Sequence, residues 1–205
     1  MDNYYQRKEV SNSNLTELKN YLGCKVMPNT NALSLGSLFD AMVTEPDRID
    51  WLRKTLDGEP QSKNNWNQCF TMYKIIKRSP YYGLLTKCIM QHVTIKDRLF
   101  DWNGVEFWMP CRCKWDFYST SFSGDLKTTM ARNRQQFKAT CVMFDYYRAR
   151  AWYMDLENTN TDYIIGISKS NYQIFVEVVK RGDDNYLIGK QQYEDLAMKH
   201  WIINN

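Results

Sequence analysis

The chain has few of the side chains that most enzymes use for proton transfer near neutral pH. Among 205 residues only His92 and His200 are histidines. A histidine-based acid/base mechanism has little to build on, and His92 is read as structural. The six cysteines include no CxxC pair and show no ligand spacing, which excludes the common zinc and dithiol motifs. Cys111 and Cys113 read instead as small buried groups on one face of a strand. No apolar run approaches the length of a membrane span, and the opening MDNYYQRKEV lacks the apolar core of a secretory signal. Reduced thiols and the missing signal together point to a cytoplasmic protein with no membrane partner. Net charge is only +4, so any hold on a polyanion has to come from local clustering. Internal repeats, low-complexity segments and linkers are also missing. A hydrophobic content of 43% over this length suits one well-buried domain, 1–205.

What is present is concentrated between Lys114 and Thr129, KWDFYSTSFSGDLKTT. Its alternation predicts a β-hairpin, with Asp116 on the first strand and Asp125 and Lys127 on the second. Side chains two apart on a strand share a face, so Asp125 and Lys127 project together while Leu126 turns to the core. A loop turning about Thr120 and Ser121 sets Asp116 opposite Asp125, with Cβ atoms about 5 Å apart. Two carboxylates that close repel unless one is protonated or a cation lies between them. Mg²⁺ or Mn²⁺ is the natural guest for such hard oxygens. By itself an Asp-x-Lys triplet also arises from composition alone, and a solvated surface ion pair is its ordinary explanation.

The longer pattern Lys114-Trp115-Asp116 followed by Gly124-Asp125-Leu126-Lys127-Thr128-Thr129 resembles the core of the PD-(D/E)XK nucleases. Within them it is most similar to the RecE-like, phage-type exodeoxyribonucleases (exonuclease VIII-like), with Trp115 in the place of the name-giving proline. Ser11 to Leu15 is similar to the opening of those domains, although alone it reads only as a helix cap. The resemblance runs from about Ser11 to Trp201. It implies an α/β (α+β) fold, a central mixed β-sheet flanked by helices with a restriction-endonuclease-like core over about 88–205 and a helical N-terminal portion over about 13–87.

The resemblance also implies a site. The helical segment Leu33–Pro46 matches a family segment whose histidine belongs to the metal site, and Asp40 stands in that histidine's position among Gly36, Ala41, Glu45 and Pro46. The implied metal ligands are Asp40, Asp116, Asp125 and the carbonyl of Leu126, holding Mg²⁺ (or Mn²⁺). The implied catalytic residues are Asp116, Asp125 and Lys127. Iron–sulfur relatives carry four cysteines around the core; only Cys141 follows the motif here, so no cluster is expected. In the family a helix after the hairpin carries a glutamine and a tyrosine that approach the active site or its DNA. Here Tyr146 and Tyr153 match the ends, but Ala149 replaces the glutamine. Gln135, Gln136 or Arg150 taking over that contact, a weakened site and a deliberate change all remain open. Arg134, Lys138, Tyr146, Arg150 and Tyr153 are the expected DNA contacts, although a solvated helix face explains Arg134 and Lys138 almost as well.

Elsewhere the pattern predicts a short helix capped near Ser13, helices over Arg48–Leu56 and Asn65–Lys77 about a Gly58/Pro60 break, and a short piece after Pro80. Lys74, Lys77 and Arg78 form a basic patch, while Trp51, Trp66, Phe70 and Tyr73 read as core aromatics. A meander of strands is expected at about 89–100, 105–115, 115–119 and 123–128. Helices over about 131–141 and from Asp145 to Leu156, strands at about 162–168 and 172–179, and a helix from Asp184 to Trp201 complete the chain. The implied activity is metal-dependent digestion of double-stranded DNA ends for recombination. The resemblance also implies partners, a single-strand annealing protein and further copies in a ring. A binding module with a weakened site and an internally cutting endonuclease are the alternatives.

Overall fold

The structure, a computed structural model, describes residues 4–23, 30–45, 47 and 63–204, with only the helix backbone at 30–34. The expected helix Arg48–Leu56, the Gly58/Pro60 break, Trp51, Cys24 and Pro46 lie outside those residues. Helix α1 (Asn12–Tyr21) is capped by Ser11, two residues earlier than expected. The Ser11 hydroxyl accepts the Asn14 N–H at 3.3 Å, and the Asn14 side chain accepts the Ser11 N–H at 3.0 Å. This reciprocal pair answers two orphan donors at the helix start. Helix α2 (Thr30–Thr44) buries Leu35, Leu38, Phe39 and Met42, the apolar face expected of it. Helix α3 (Lys63–Arg78) packs on α2 through Cys69, Met72 and Ile76, and the short α4 (Tyr82–Leu85) follows. Phe70 departs from the expectation, at 43% exposed.

The strands divide into two sheets, not one meander. β1 (Ile89–Met90) ends at Gln91, whose φ of 55° is left-handed. The chain then enters β2 (Val93–Trp102), which among the described residues pairs only with β3 (Val105–Lys114), across the Asn103-Gly104 turn. Both turn residues have positive φ, as a two-residue hairpin turn demands. The second sheet has the order β1-β4-β5-β6-β7, from β4 (Phe117–Tyr118), β5 (Gly124–Thr129), β6 (Thr161–Ser168) and β7 (Ile174–Lys180). β5 and β6 run parallel and the other pairs antiparallel, so the sheet is mixed, as expected.

A parallel pair needs a crossover, and α5 (Arg134–Met143) with α6 (Tyr146–Glu157) supplies it. α5 starts at Arg134 because Asn133 caps it, its side chain accepting the Gln136 N–H at 2.9 Å. The long final helix α7 (Asp184–Asn204) packs along α6. Two apolar clusters cover the faces of the mixed sheet. Leu126, Ile165 and Ile167 meet α2 and α3 on one side. Ile164 and Val179 join Trp115, Trp152, Phe137 and Tyr193 on the other, with the β2–β3 hairpin and α1. Strand alternation puts Asp125 and Lys127 on the second face, which α5 and α6 cover. At Gly166, the register partner of Lys127, an added Cβ would lie 2.3 Å from the Phe137 ring, so the bare backbone lets α5 settle there. No helix among the described residues is long and apolar enough to cross a membrane.

Candidate active site

The register Phe117↔Gly124 continues one step to set Asp116 across from Asp125, as the hairpin pattern predicts. Asp116 is tied to the opposite strand, its Oδ2 accepting the Leu126 N–H at 2.7 Å. Asp125 and Lys127 share a face and form an ion pair. The Lys127 ammonium also lies 5.4 Å from the centroid of the Tyr146 ring. Asp40 reaches the same place from α2. Its Oδ2 accepts a hydrogen bond from the Gln91 amide at 3.3 Å, and that amide also donates to the Thr44 hydroxyl at 2.8 Å. Trp115 is fully buried against Tyr118 and Tyr153, so the residue in the proline position serves as core.

The charges of this cluster are unevenly answered. Burial pushes Asp125 up, but the Lys127 ammonium and the Arg150 guanidinium outweigh it and hold the carboxyl below the usual range. Burial lowers Lys127, and Asp125 and Asp116 more than reverse that, so its ammonium stays protonated. Asp40 is pushed up to about 6 by burial and by Asp125 and Glu45, against the pull of Lys127. Asp116 is pushed well above the usual range by burial and by the charges of Asp40 and Asp125. Neither Asp40 nor Asp116 has a cation within ion-pair distance among the described residues. Two under-compensated carboxyls beside a third, with the Leu126 carbonyl between the hairpin positions, form a hard oxygen donor set that suits a divalent cation. As placed, no three acidic, histidine or cysteine groups among the described residues are close enough to enclose one. Asp125 is turned onto its two cationic neighbours, Lys127 and Arg150.

The expected DNA contacts fare differently. Arg150 is corrected: at 2% exposure it lies inside the protein, 3.4 Å from Asp125 and 3.5 Å from Asp162, its guanidinium over the Tyr153 ring. A guanidinium held between two buried carboxylates is an internal counter-charge and cannot reach a DNA strand. Gln136 is spent on the Arg132 N–H, and Gln135 makes no bond to a site carboxylate. Tyr153 is half-buried between Arg150 and Trp115. Arg134 and Lys138 are exposed, but both lean on the buried Glu177 of β7, at 3.2 and 3.9 Å. Tyr146 stands at the site, stacked on Phe144 with ring centroids 5.9 Å apart.

His92 accords with its structural reading, stacked on Tyr118 and bonded to Glu157 at 3.1 Å. Three residues of the site region had escaped the sequence reading. Asp162 and Glu177 are single carboxylates inside apolar strands, TDYIIGIS and IFVEVVK, a pattern that itself signals a cationic partner. Gln91 had no such signal.

With this geometry in view, the comparisons are brief. No protein-family model and no curated protein matches the chain. Among solved structures, that of a "putative exonuclease" from Eubacterium rectale aligns at a TM-score of 0.58 and 17% identity, covering 86% of this chain and 68% of its own. The two share a fold. At that identity the likeness carries the mixed sheet and its flanking helices and says nothing of individual residues. A second structure, SSO0001, reaches a TM-score of 0.41 with 10% identity over 93% of this chain and 87% of its own, too low to carry an argument.

Proposed function

We propose that the chain is a metal-dependent nuclease of the PD-(D/E)XK kind that digests linear double-stranded DNA from its ends. The observation that carries this reading is the meeting of Asp116 and Asp125 across the β4–β5 turn, with Asp40 beside them and Lys127 on the same face. The exonuclease-like fold supports it. Asp40, Asp116, Asp125 and the Leu126 carbonyl would hold Mg²⁺ or Mn²⁺, which polarises a phosphoryl oxygen and acidifies an attacking water. Lys127 stays cationic and can stabilise charge developing on the phosphate. Arg150 keeps Asp125 ionised and oriented from behind. Tyr146 forms a wall against which a nucleotide can rest. Overall, water adds across one P–O bond and leaves a phosphomonoester and a hydroxyl.

The test compares linear and closed circular duplex DNA with and without Mg²⁺, using the native chain, Asp116→Asn and Lys127→Gln. Metal-dependent loss of the linear form alone, abolished by either substitution, is the expected result. Cutting of closed circles would mean an endonuclease. No cleavage by the native chain, with equal DNA affinity in all three proteins, would mean a binding module; the pairing of both Asp125 oxygens to Lys127 and Arg150 favours that second reading.

A further inference from the structure

Five non-glycine residues adopt positive φ among the described residues: Gln91, Asn103, Asp145, Asn158 and Tyr172. Asn and Asp tolerate that conformation through local hydrogen bonds, and glutamine has no such ease. Gln91 sits where the chain leaves the five-stranded sheet for the β2–β3 hairpin. Its backbone N–H donates to the Asp116 carbonyl at 3.1 Å. Its side-chain amide donates to Asp40 Oδ2 at 3.3 Å and to Thr44 Oγ1 at 2.8 Å. Thr44 is buried and in turn donates to the Asp40 carbonyl at 3.0 Å. One residue thus holds Asp40 of α2 by its carboxylate and Asp116, in the bend before β4, by its backbone carbonyl. No other side-chain amide among the described residues bonds to a carboxylate of the cluster.

We infer that Gln91 is a positioning residue of the acidic site, its amide and its left-handed backbone setting the spacing of Asp40 from Asp116 for a divalent cation. The inference rests on the metal-site reading above. A neutral donor suits the task, because it orients Asp40 without cancelling the charge that a cation needs. A lysine there would compete with the ion, and asparagine is one methylene shorter for the span from the bend to α2. Backbone strain at a residue whose side chain meets the candidate site accords with the general association of strain and function. A glycine would satisfy the backbone and lose the grip on Asp40, so the two roles can be separated by experiment.

The experiment is Mn²⁺ titration of the full chain by calorimetry, beside thermal unfolding without metal, for the native protein, Gln91→Gly, Gln91→Lys and Thr44→Val. Gln91→Gly is expected to unfold at the native temperature or above, since strain is relieved, yet to bind Mn²⁺ about 10-fold more weakly, the lower end of the usual effect for groups that orient metal ligands. Gln91→Lys is expected to bind more weakly still, and Thr44→Val to show a smaller loss, because the amide keeps Asp40 but loses its anchor. Native Mn²⁺ affinity in Gln91→Gly would overturn the role of Gln91 and leave the metal site standing. A native chain that binds no Mn²⁺ would overturn the metal-site reading, and this inference with it.

Discussion

Replacing Arg150 by methionine tests whether the site rests on a buried charge relay. The guanidinium is 2% exposed and lies between Asp125 at 3.4 Å and Asp162 at 3.5 Å. Asp125 keeps Lys127 after the change. Asp162 is fully buried, and its remaining support is the Tyr163 N–H at 2.6 Å. Burial and the charge of Asp125 already push Asp162 up to about 7 against the pull of Arg150, so without Arg150 it rises further. Removing one partner of a buried pair typically costs about 3–5 kcal/mol, a fifth or more of a domain's usual stability of about 5–15 kcal/mol. Adding Asp162→Asn removes the stranded charge and is expected to recover about 2 kcal/mol, a coupling that a double-mutant cycle isolates. Urea unfolding followed by tryptophan fluorescence at pH 8 reads all four proteins. The deficit of Arg150→Met should shrink as the pH falls. A carboxyl whose folded pKa lies above its unfolded one takes up a proton on folding, and that gain is lost as pH rises through the folded value. A single substitution within about 1 kcal/mol of native at pH 8, or a double variant no more stable than the single, would refute the reasoning.

Asp116→Asn should stabilise the metal-free protein by about 1 kcal/mol, or roughly 2–4 °C, because it relieves repulsion with Asp40 and Asp125 while Asn Oδ1 still accepts the Leu126 N–H. If the proposed metal site holds, Mn²⁺ raises the unfolding temperature of the native chain and this variant loses that rise; a lower metal-free temperature would count against the crowded-carboxylate picture. Asp155 accepts bonds from Arg98 at 3.1 Å, Arg181 at 2.6 Å and Tyr186 at 2.7 Å, as well as from Tyr193, and burial is outweighed so that its carboxyl is held below the usual range. Asp155→Asn should therefore cost about 3 kcal/mol at pH 7. The gap should begin to close below about pH 4, where the carboxyl of the unfolded chain takes up a proton, and go on closing until the folded carboxyl protonates too; a deficit constant down to pH 2 would contradict the assignment. Gly166→Ala should cost about 1–3 kcal/mol through the clash with Phe137, and Phe137→Leu should restore much of it, as chemical denaturation would read.

Much of the local structure was legible before any coordinates. The turn between two alternating strands was enough to set Asp116 against Asp125, because strand period and loop length together leave one register that keeps Leu126 inside. The apolar faces of α2, α3 and α6 repeat at helical spacing, and their extents came out within a few residues of expectation. The mixed sheet followed from strands that return after helices. The division into two sheets was not legible, because it turns on one left-handed residue, and glutamine does not announce that conformation.

Charge was the least legible property. Arg150 reads along the chain like any basic residue on a helix, and only the packing of α6 over β5 and β6 seats it between Asp125 and Asp162. Arg134 and Lys138 likewise find Glu177 only once β7 lies beside α5. The amino-acid sequence by itself singled out the candidate site groups and determined which face of each strand or helix they occupy, since side-chain periodicity is a local property of the backbone. Tertiary structure alone decided which carboxylates are neutralised, which are left to repel one another, and that Gln91 joins the Asp40 carboxylate to the Asp116 backbone. Those outcomes depend on distances between elements far apart in the chain, and a Coulomb interaction follows distance and burial rather than sequence separation.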